Sequence, residues 1–245
     1  METNRMLRVE SLSKTIDHEE VLNMTFSFEK KGVHGILAPR GAGKTMLLNI
    51  LAGWDSSFDG AIYLKDVSVE KDALIRKRQV GYVPAQSALD PTMTVLETME
   101  FLGKAKHVPA EKLESQIREA LSLVGLLDQF RRLVANLSEG QRKLLSIAAA
   151  LLGNPKILLL DEPTRRISIE ERESMMSLLR ALGAVKTVIL ATEDFSEAQA
   201  LCHDIVLMAD GKVIAAGTFE ELNDRLEGTT LRAAYDILCG KEEQK

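Results

Sequence analysis

The stretch Ala38-Pro39-Arg40-Gly41-Ala42-Gly43-Lys44-Thr45 brings together the residue types that phosphate chemistry requires. It matches the phosphate-binding pattern G-x-x-x-x-G-K-[ST] at every fixed place but the first, where Ala38 stands for glycine. Gly41 and Gly43 permit the tight backbone that aims successive N–H groups at phosphate oxygens. Lys44 can reach the β- and γ-phosphates of a nucleotide, and the Thr45 hydroxyl is a hard oxygen ligand suited to Mg²⁺. On its own, such a stretch is also compatible with a glycine-rich turn that binds nothing.

A second group of residues far downstream bears on that choice. The run Ile157-Leu158-Leu159-Leu160 leads directly into Asp161-Glu162-Pro163-Thr164. Four consecutive aliphatics predict a central parallel strand buried on both faces, and its carboxyl end is where open α/β sheets place their ligands. Asp161 can hold Mg²⁺ directly or through water, and Glu162 can orient or activate an attacking water. An isolated Asp-Glu pair reads equally well as a helix cap or a surface pair. With the glycine-rich loop upstream, the nucleotide site is the better reading.

These residues need elements to position them. Val33–Leu37 predicts the strand before the loop, and the apolar-periodic Met46–Leu51 the helix after it, whose N-terminus adds positive potential. Residues 6–31 alternate in hydrophobicity and predict a short antiparallel section. Ala61–Leu64, Val80–Val83, Thr187–Ala191 and Asp204–Met208 read as further strands, with Asp210-Gly211 as a hairpin turn before Val213-Ile214-Ala215. Lys71–Arg78 reads as charged and exposed. From Thr94 to about Val134 helical spacing takes over, as in Val95, Met99 and Leu102 and again in Leu113, Ile117, Leu121 and Val124. Ser138 is placed to cap a helix running to Leu152, with Gln141 at capping-box spacing, and Gly153-Asn154-Pro155 ends it. Glu170–Leu182 and Ser196–Cys202 predict helices, as does most of the tail from Phe219.

Composition narrows the class. The 245 residues are 45% hydrophobic and 27% charged, as in a globular domain. Apolar runs fall short of the roughly 18 residues of a membrane span, and the start METNRMLRVE lacks the apolar core of a secretion signal. A net charge of −5 disfavours nucleic acid as a partner. Cys202 and Cys239 form no metal-binding spacing and read as packed, reduced thiols.

Over about residues 6–240 the chain resembles the nucleotide-binding subunit of an ABC transporter. Four stretches carry the resemblance: the glycine-rich loop, LSEGQ at 137–141, LLLDEPT at 158–164, and TVILATEDFSEAQALCHDIVLMADGKVIAAGT at 187–218. LSEGQ departs from the family signature LSGGQ only at Glu139. The resemblance implies an α/β P-loop NTPase fold: a mainly parallel core sheet flanked by helices, an N-terminal antiparallel β section and a helical subdomain. It implies one ATP-binding domain over 1–245, with the subdomain at about 90–135 plus the signature helix, and a helical tail at about 219–245. ATP and Mg²⁺ are the implied cofactors. Residues 38–46 (Ala38 to Met46), with Ile16, Gln86 and Glu193, are the implied nucleotide contacts; Thr45 and Asp161 the metal ligands; Glu162 the catalytic base. Ser138, Glu139, Gly140 and Gln141 would cap the nucleotide of a second ATP-binding subunit, in a homo- or heterodimer. A separate transmembrane permease would hold the protein on the inner face of the cell membrane. The tail from Thr230 to Gly240 resembles, more weakly, the ends of drug- and antibiotic-exporting members.

Departures from the family pattern cluster at the chemistry. Ile16 stands where an aromatic stacks on adenine, and Arg40 where the residue is small and polar. Met46 replaces a phosphate-contacting hydroxyl. Ala85 replaces a glutamine, leaving Gln86 one place late. Arg165-Arg166-Ile167-Ser168-Ile169 replaces a small-polar, Gly, Leu, Asp, Pro stretch, so Ser168 lacks a carboxylate that links the two sites. Glu193 replaces the histidine that donates to the γ-phosphate, and a carboxylate there would repel phosphate unless protonated or turned away. The resemblance therefore predicts nucleotide binding with impaired hydrolysis at this chain's own site. A partner with intact motifs would then do the fast chemistry. Two other classes remain open: a nucleotide-gated regulatory module that powers no transport, and a soluble ABC-type protein acting on DNA or ribosomes. The latter is disfavoured by the acidic balance and by the lack of tandem domains or long inserted coils.

Overall fold

In the computed structural model, residues 5–65, 67–69, 72–225 and 230–239 are described. The strands are β1 (Leu7–Ile16), β2 (Glu19–Phe28), β3 (Gly32–Leu37), β4 (Asp59–Leu64), β5 (Val67–Ser68), β6 (Val80–Val83), β7 (Ile157–Asp161), β8 (Thr187–Thr192), β9 (Asp204–Ala209) and β10 (Lys212–Thr218). They form one sheet in the order β5-β4-β1-β2-β10-β9-β3-β8-β7-β6. The parallel half runs from β9 to β6, with β3 hydrogen-bonded to β8 on one side and β9 on the other. The antiparallel half, β5-β4-β1-β2, is the N-terminal section expected from the sequence. The two halves are continuous. A single parallel bridge, Lys212 to Asn23, joins β10 to β2, and the Asp210-Gly211 turn, both residues at positive φ, closes the β9–β10 hairpin.

The parallel strands alternate cleanly between two cores. Val33 and Leu37, Leu158 and Leu160, Val188 and Leu190, and Ile205 and Leu207 face one apolar cluster. Ile36, Ile157 and Leu159, Ile189 and Ala191, and Val206 and Met208 face the other. This period of two, apolar on both faces, is what a doubly covered strand requires. One face is covered by α1 (Lys44–Leu51), which buries Leu47, Leu48, Ile50 and Leu51. Helices cover the other: α5 (Glu139–Leu151), α6 (Ile169–Val185) and α7 (Phe195–Leu201). The predicted helical section consists of α3 (Val95–Ala105) and α4 (Ala110–Leu123), whose buried faces (Val95, Met99; Leu113, Ile117, Leu121) join that second core. In the tail, α8 (Phe219–Arg225) and α9 (Leu231–Leu238) are helical as expected; the last residues, 240–245, lie outside the described residues.

The segment read as charged and exposed is mostly exposed, but one residue departs from that reading. Its described part forms α2 (Ala73–Gln79), capped by Asp72. Arg76 is fully buried there, donating to the Val69 carbonyl at 2.6 Å and to Ser56 Oγ at 3.2 Å, with its guanidinium 5.4 Å from the Phe58 ring. It ties α2 to the loop after the phosphate-binding helix. Gly53, at φ +76°, permits the approach, because a Cβ there would lie 2.8 Å from the Ala73 carbonyl oxygen. Lys106, in the helical section, is likewise drawn in. It donates to Ala149 O at 2.8 Å and Ala150 O at 2.7 Å, near the end of α5, and burial pulls its pKa down to about 8. Arg76→Ala is expected to lower stability by about 2–3 kcal/mol, the scale for stranding the partner of a buried charged hydrogen bond. Chemical denaturation beside Lys77→Ala, an exposed neighbour, checks this: equal losses would show that Arg76 has no structural role.

Candidate functional site

The carboxyl ends of three adjacent strands bring the site together. β3 ends at Leu37 and feeds the glycine-rich loop; β7 ends at Asp161; β8, between them, ends at Thr192 and leads to Glu193. This adjacency is the reason residues 38–45, 161–162 and 193 meet.

The loop turns at Gly41 (φ +83°) and Gly43 (φ +95°), both left-handed. Their surroundings differ. A Cβ on Gly41 would meet no atom within 4 Å, whereas one on Gly43 would lie 2.7 Å from Leu22 Cδ2. Gly43 thus lets β2 pack against the loop, while the space beside Gly41 is open. Lys44, almost fully buried, is folded into the loop, donating to Ala38 O at 2.7 Å and Pro39 O at 3.2 Å and lying 3.4 Å from Glu162 Oε1. Thr45 Oγ1 donates to Asp161 Oδ2 at 2.6 Å. Ala38 and Ala42 are buried in the β2-side core, and Met46 is half-buried and packs on it.

Burial raises the pKa of both carboxyls. At Asp161 desolvation outweighs the Thr45 hydrogen bond and the attraction of Lys44; at Glu162 it outweighs Lys44 and the Glu193 N–H, which donates to Glu162 Oε2 at 3.4 Å. Glu162 itself has φ +49°, a costly conformation for a non-glycine residue. Lys143, from α5, holds it: its buried ammonium donates at 2.7 Å to both Glu162 O and Arg165 O. Periodicity gave no sign of Lys143, since a lysine inside an amphipathic helix reads as solvated.

Glu193 departs from the simple picture of a carboxylate facing phosphate. Its side chain lies between two arginines, with Arg40 Nε 3.4 Å from one oxygen and Arg165 Nε 3.8 Å from the other.

The LSEGQ segment forms the predicted cap. Ser138 Oγ accepts from Gln141 N at 3.0 Å while Gln141 Oε1 accepts from Ser138 N. A second box begins α6: Ser168 caps Glu171, whose carboxylate accepts from Ser168 N at 3.1 Å. Ser138 Oγ donates at 2.5 Å to the other oxygen of that carboxylate. Gly140 leaves room for it, because a Cβ there would collide with the Glu171 carboxylate. The spacing Ser168-x-x-Glu171 was the available signal for this residue. Glu139 is paired with Arg142 at 2.9 Å along its own helix.

Two further candidate residues sit on other segments. Ile16 ends β1 at the hairpin turn and is exposed. Gln86 is exposed and lines a cavity of about 590 Å³ together with Ala85, Glu139, Arg142, Arg165 and Arg166, rather than the glycine-rich loop.

The donor set suits a hard cation. Thr45 and Asp161 offer a hydroxyl and a carboxylate, and no cluster of three or more metal-binding side chains occurs among the described residues. Mg²⁺ takes such sparse protein ligation and completes its shell with phosphate and water.

An open mixed sheet whose parallel strands carry a phosphate loop after β3 and two carboxylates at the end of β7 defines a P-loop nucleotide-binding protein. The sequence comparisons narrow the class. A family profile described as ABC transporter matches residues 21–165. The linearmycin resistance ATP-binding protein LnrL of Bacillus subtilis (strain 168) is 30% identical over 228 residues, covering 92% of this chain and 73% of that protein. A solved ATP binding subunit of an ABC transporter superposes with a TM-score of 0.84, at 22% identity, over 96% of this chain and 99% of the other. The ATP-binding cassette MJ0796, solved as a dimer in a post-hydrolysis state bound to ADP and Pi, superposes with a TM-score of 0.76 at 28% identity, over 87% and 98%. The chain belongs to the ABC transporter family, as an ATP-binding subunit.

The raised carboxyls make a pH prediction. In the window between their unfolded and folded pKa values the folded chain binds more protons than the unfolded one, so their contribution to stability rises as pH falls. Asp161→Asn is therefore expected to stabilise the nucleotide-free protein near neutral pH, with the gain shrinking as pH drops toward the ordinary carboxylate range. Thermal midpoints of both proteins between pH 7.5 and 4.5 check this, and a pH-independent difference would contradict it.

Proposed function

We propose that this chain binds Mg-ATP on residues 38–45 with Thr45 and Asp161, and that a second ATP-binding subunit closes over the nucleotide. The observation that carries the reading is the convergence of Lys44, Thr45, Asp161 and Glu162 within 3.4 Å contacts at the ends of β3 and β7. Lys44 is pre-folded toward the loop, and its ammonium would turn from the Ala38 and Pro39 carbonyls to phosphate oxygens. Glu162 would accept a proton from the attacking water, and its raised pKa supports that role. Bound Mg²⁺ would neutralise developing phosphate charge.

Ser138, Glu139, Gly140 and Gln141 would serve the partner's nucleotide from the N-terminus of α5. The dimeric form of MJ0796 and its ADP and Pi support this arrangement. No helix among the described residues is long and apolar enough to cross a membrane, so the transmembrane path would belong to a separate permease. The resistance function in the name of LnrL supports export as the direction. Hydrolysis at the chain's own site would be slow, because residue 193 brings a carboxylate where the family places a donor. Removing one transition-state donor elsewhere costs about 10²–10³ in rate, which sets the scale. A heterodimer, in which an intact partner turns over ATP and this chain's site holds it, follows from that loss.

The purified chain should bind Mg-ATP and hydrolyse it slowly, and Glu162→Gln should abolish the residual rate while keeping binding. Equilibrium binding and steady-state phosphate release check this. No nucleotide binding would sink the whole reading; fast turnover by the chain alone would sink only the impaired-hydrolysis part.

A further inference from the structure

Three residues that stand out one by one in the sequence meet at a single point. Arg40 comes from the glycine-rich loop, Arg165 from the turn after Glu162, and Glu193 from the end of β8. One guanidinium lies against each oxygen of the Glu193 carboxylate, Arg40 Nε at 3.4 Å and Arg165 Nε at 3.8 Å. Their backbones are held independently. Arg165 O accepts from Lys143 at 2.7 Å, and Glu193 N donates to Glu162 Oε2 at 3.4 Å. Two cations around one anion leave a surplus positive charge beside the phosphate loop, where a lone carboxylate would have placed a negative one.

Arginine geometry makes that surplus useful. A guanidinium carries five donors in a planar fork. Contact through Nε leaves the terminal Nη groups free to meet a second anion, and the Arg40 side chain is 64% exposed. The open space beside Gly41, next in the chain, leaves the approach clear. We propose that Glu193 is a positioning residue: it holds the Arg40 and Arg165 guanidiniums over the loop, and Arg40 supplies the donor that meets the terminal phosphate of a nucleoside triphosphate. The inference rests on the Mg-ATP reading and deepens it. Residue 193 does not contact the phosphate itself; it aims an arginine that does. The site then distinguishes triphosphate from diphosphate through Arg40.

The test is equilibrium binding of ADP and of a non-hydrolysable ATP analogue, each with Mg²⁺, to wild type, Arg40→Ala, Arg40→Lys, Glu193→Gln and the Arg40→Ala/Glu193→Gln double variant. Thermal denaturation confirms that each variant is folded, which the exposure of both side chains favours. Arg40→Ala should weaken the triphosphate analogue about tenfold, the scale of one charge-assisted hydrogen bond, and leave ADP within about threefold. Arg40→Lys should restore part of the loss. Glu193→Gln should also weaken the analogue, and the double variant should bind no worse than Arg40→Ala alone, since the two residues act through one contact. A carboxylate that merely repels phosphate gives the opposite sign: Glu193→Gln would then tighten the analogue, and the proposal falls. It falls as well if Arg40→Ala leaves the preference for triphosphate unchanged while wild type binds normally. If wild type binds neither nucleotide, the Mg-ATP reading fails first and takes this inference with it, a result distinct from the other two.

Discussion

The site depends on burying one ammonium and two carboxyls together at the end of a parallel sheet. Lys44, Asp161 and Glu162 are each less than a tenth exposed. Taking any one of them out of water alone would cost several kcal/mol, and partial pairing offsets that cost only while all three remain. The raised pKa values of Asp161 and Glu162 show that the offset is incomplete. The proposed polyphosphate and divalent cation would offset the remainder. The phosphate would take the lysine, and the cation would take the aspartate. The surrounding sheet keeps these groups in place, because β3, β7 and β8 are packed on both faces.

The second constraint is the turn that follows Glu162. Two residues in it, Glu162 and Arg166, have positive φ without being glycine. Lys143 pins the turn from α5, and Glu171 ties α6 to the same helix through Ser138. Since α5 begins within the LSEGQ segment, that helix and the turn carrying Glu162 are bolted together by two polar contacts. A displacement of α5 on closure of a dimer would pull on the Glu162 and Arg165 carbonyls directly.

Much of this was legible in the chain because the signals were local. The aliphatic run before Asp161, the two glycines before Lys44 and the Ser138–Gln141 cap each report on their own neighbourhood, and all form the elements expected of them. What escaped were buried or half-buried basic side chains that donate to backbone carbonyls. Arg76 and Lys106 are strongly charged and sit on short amphipathic segments, so pattern alone assigns them to solvent. Their acceptors are backbone carbonyls of Val69 and of Ala149 and Ala150, and nothing in a carbonyl's sequence identity announces that it is free. Lys143 escaped for the same reason. Glu193 was recognised as a substitution, yet its meaning is set by Arg40 and Arg165, which lie 153 and 28 positions away.

Ser138 makes a contact that serves the fold and bears on its proposed role. Its hydroxyl accepts from Gln141 N and donates to Glu171, so the N-terminus of α5 already faces a carboxylate in the single chain. The Ser138 hydroxyl and the Ser168 backbone amide hold that carboxyl below its ordinary pKa. An anion there suits the helix dipole in the way a phosphate would. In the proposed dimer, a partner's nucleotide would compete with Glu171 for the Ser138 proton, or else would leave Glu171 in place and bind through the remaining backbone N–H groups beyond Gly140. Either course would weaken the cap relative to a free serine.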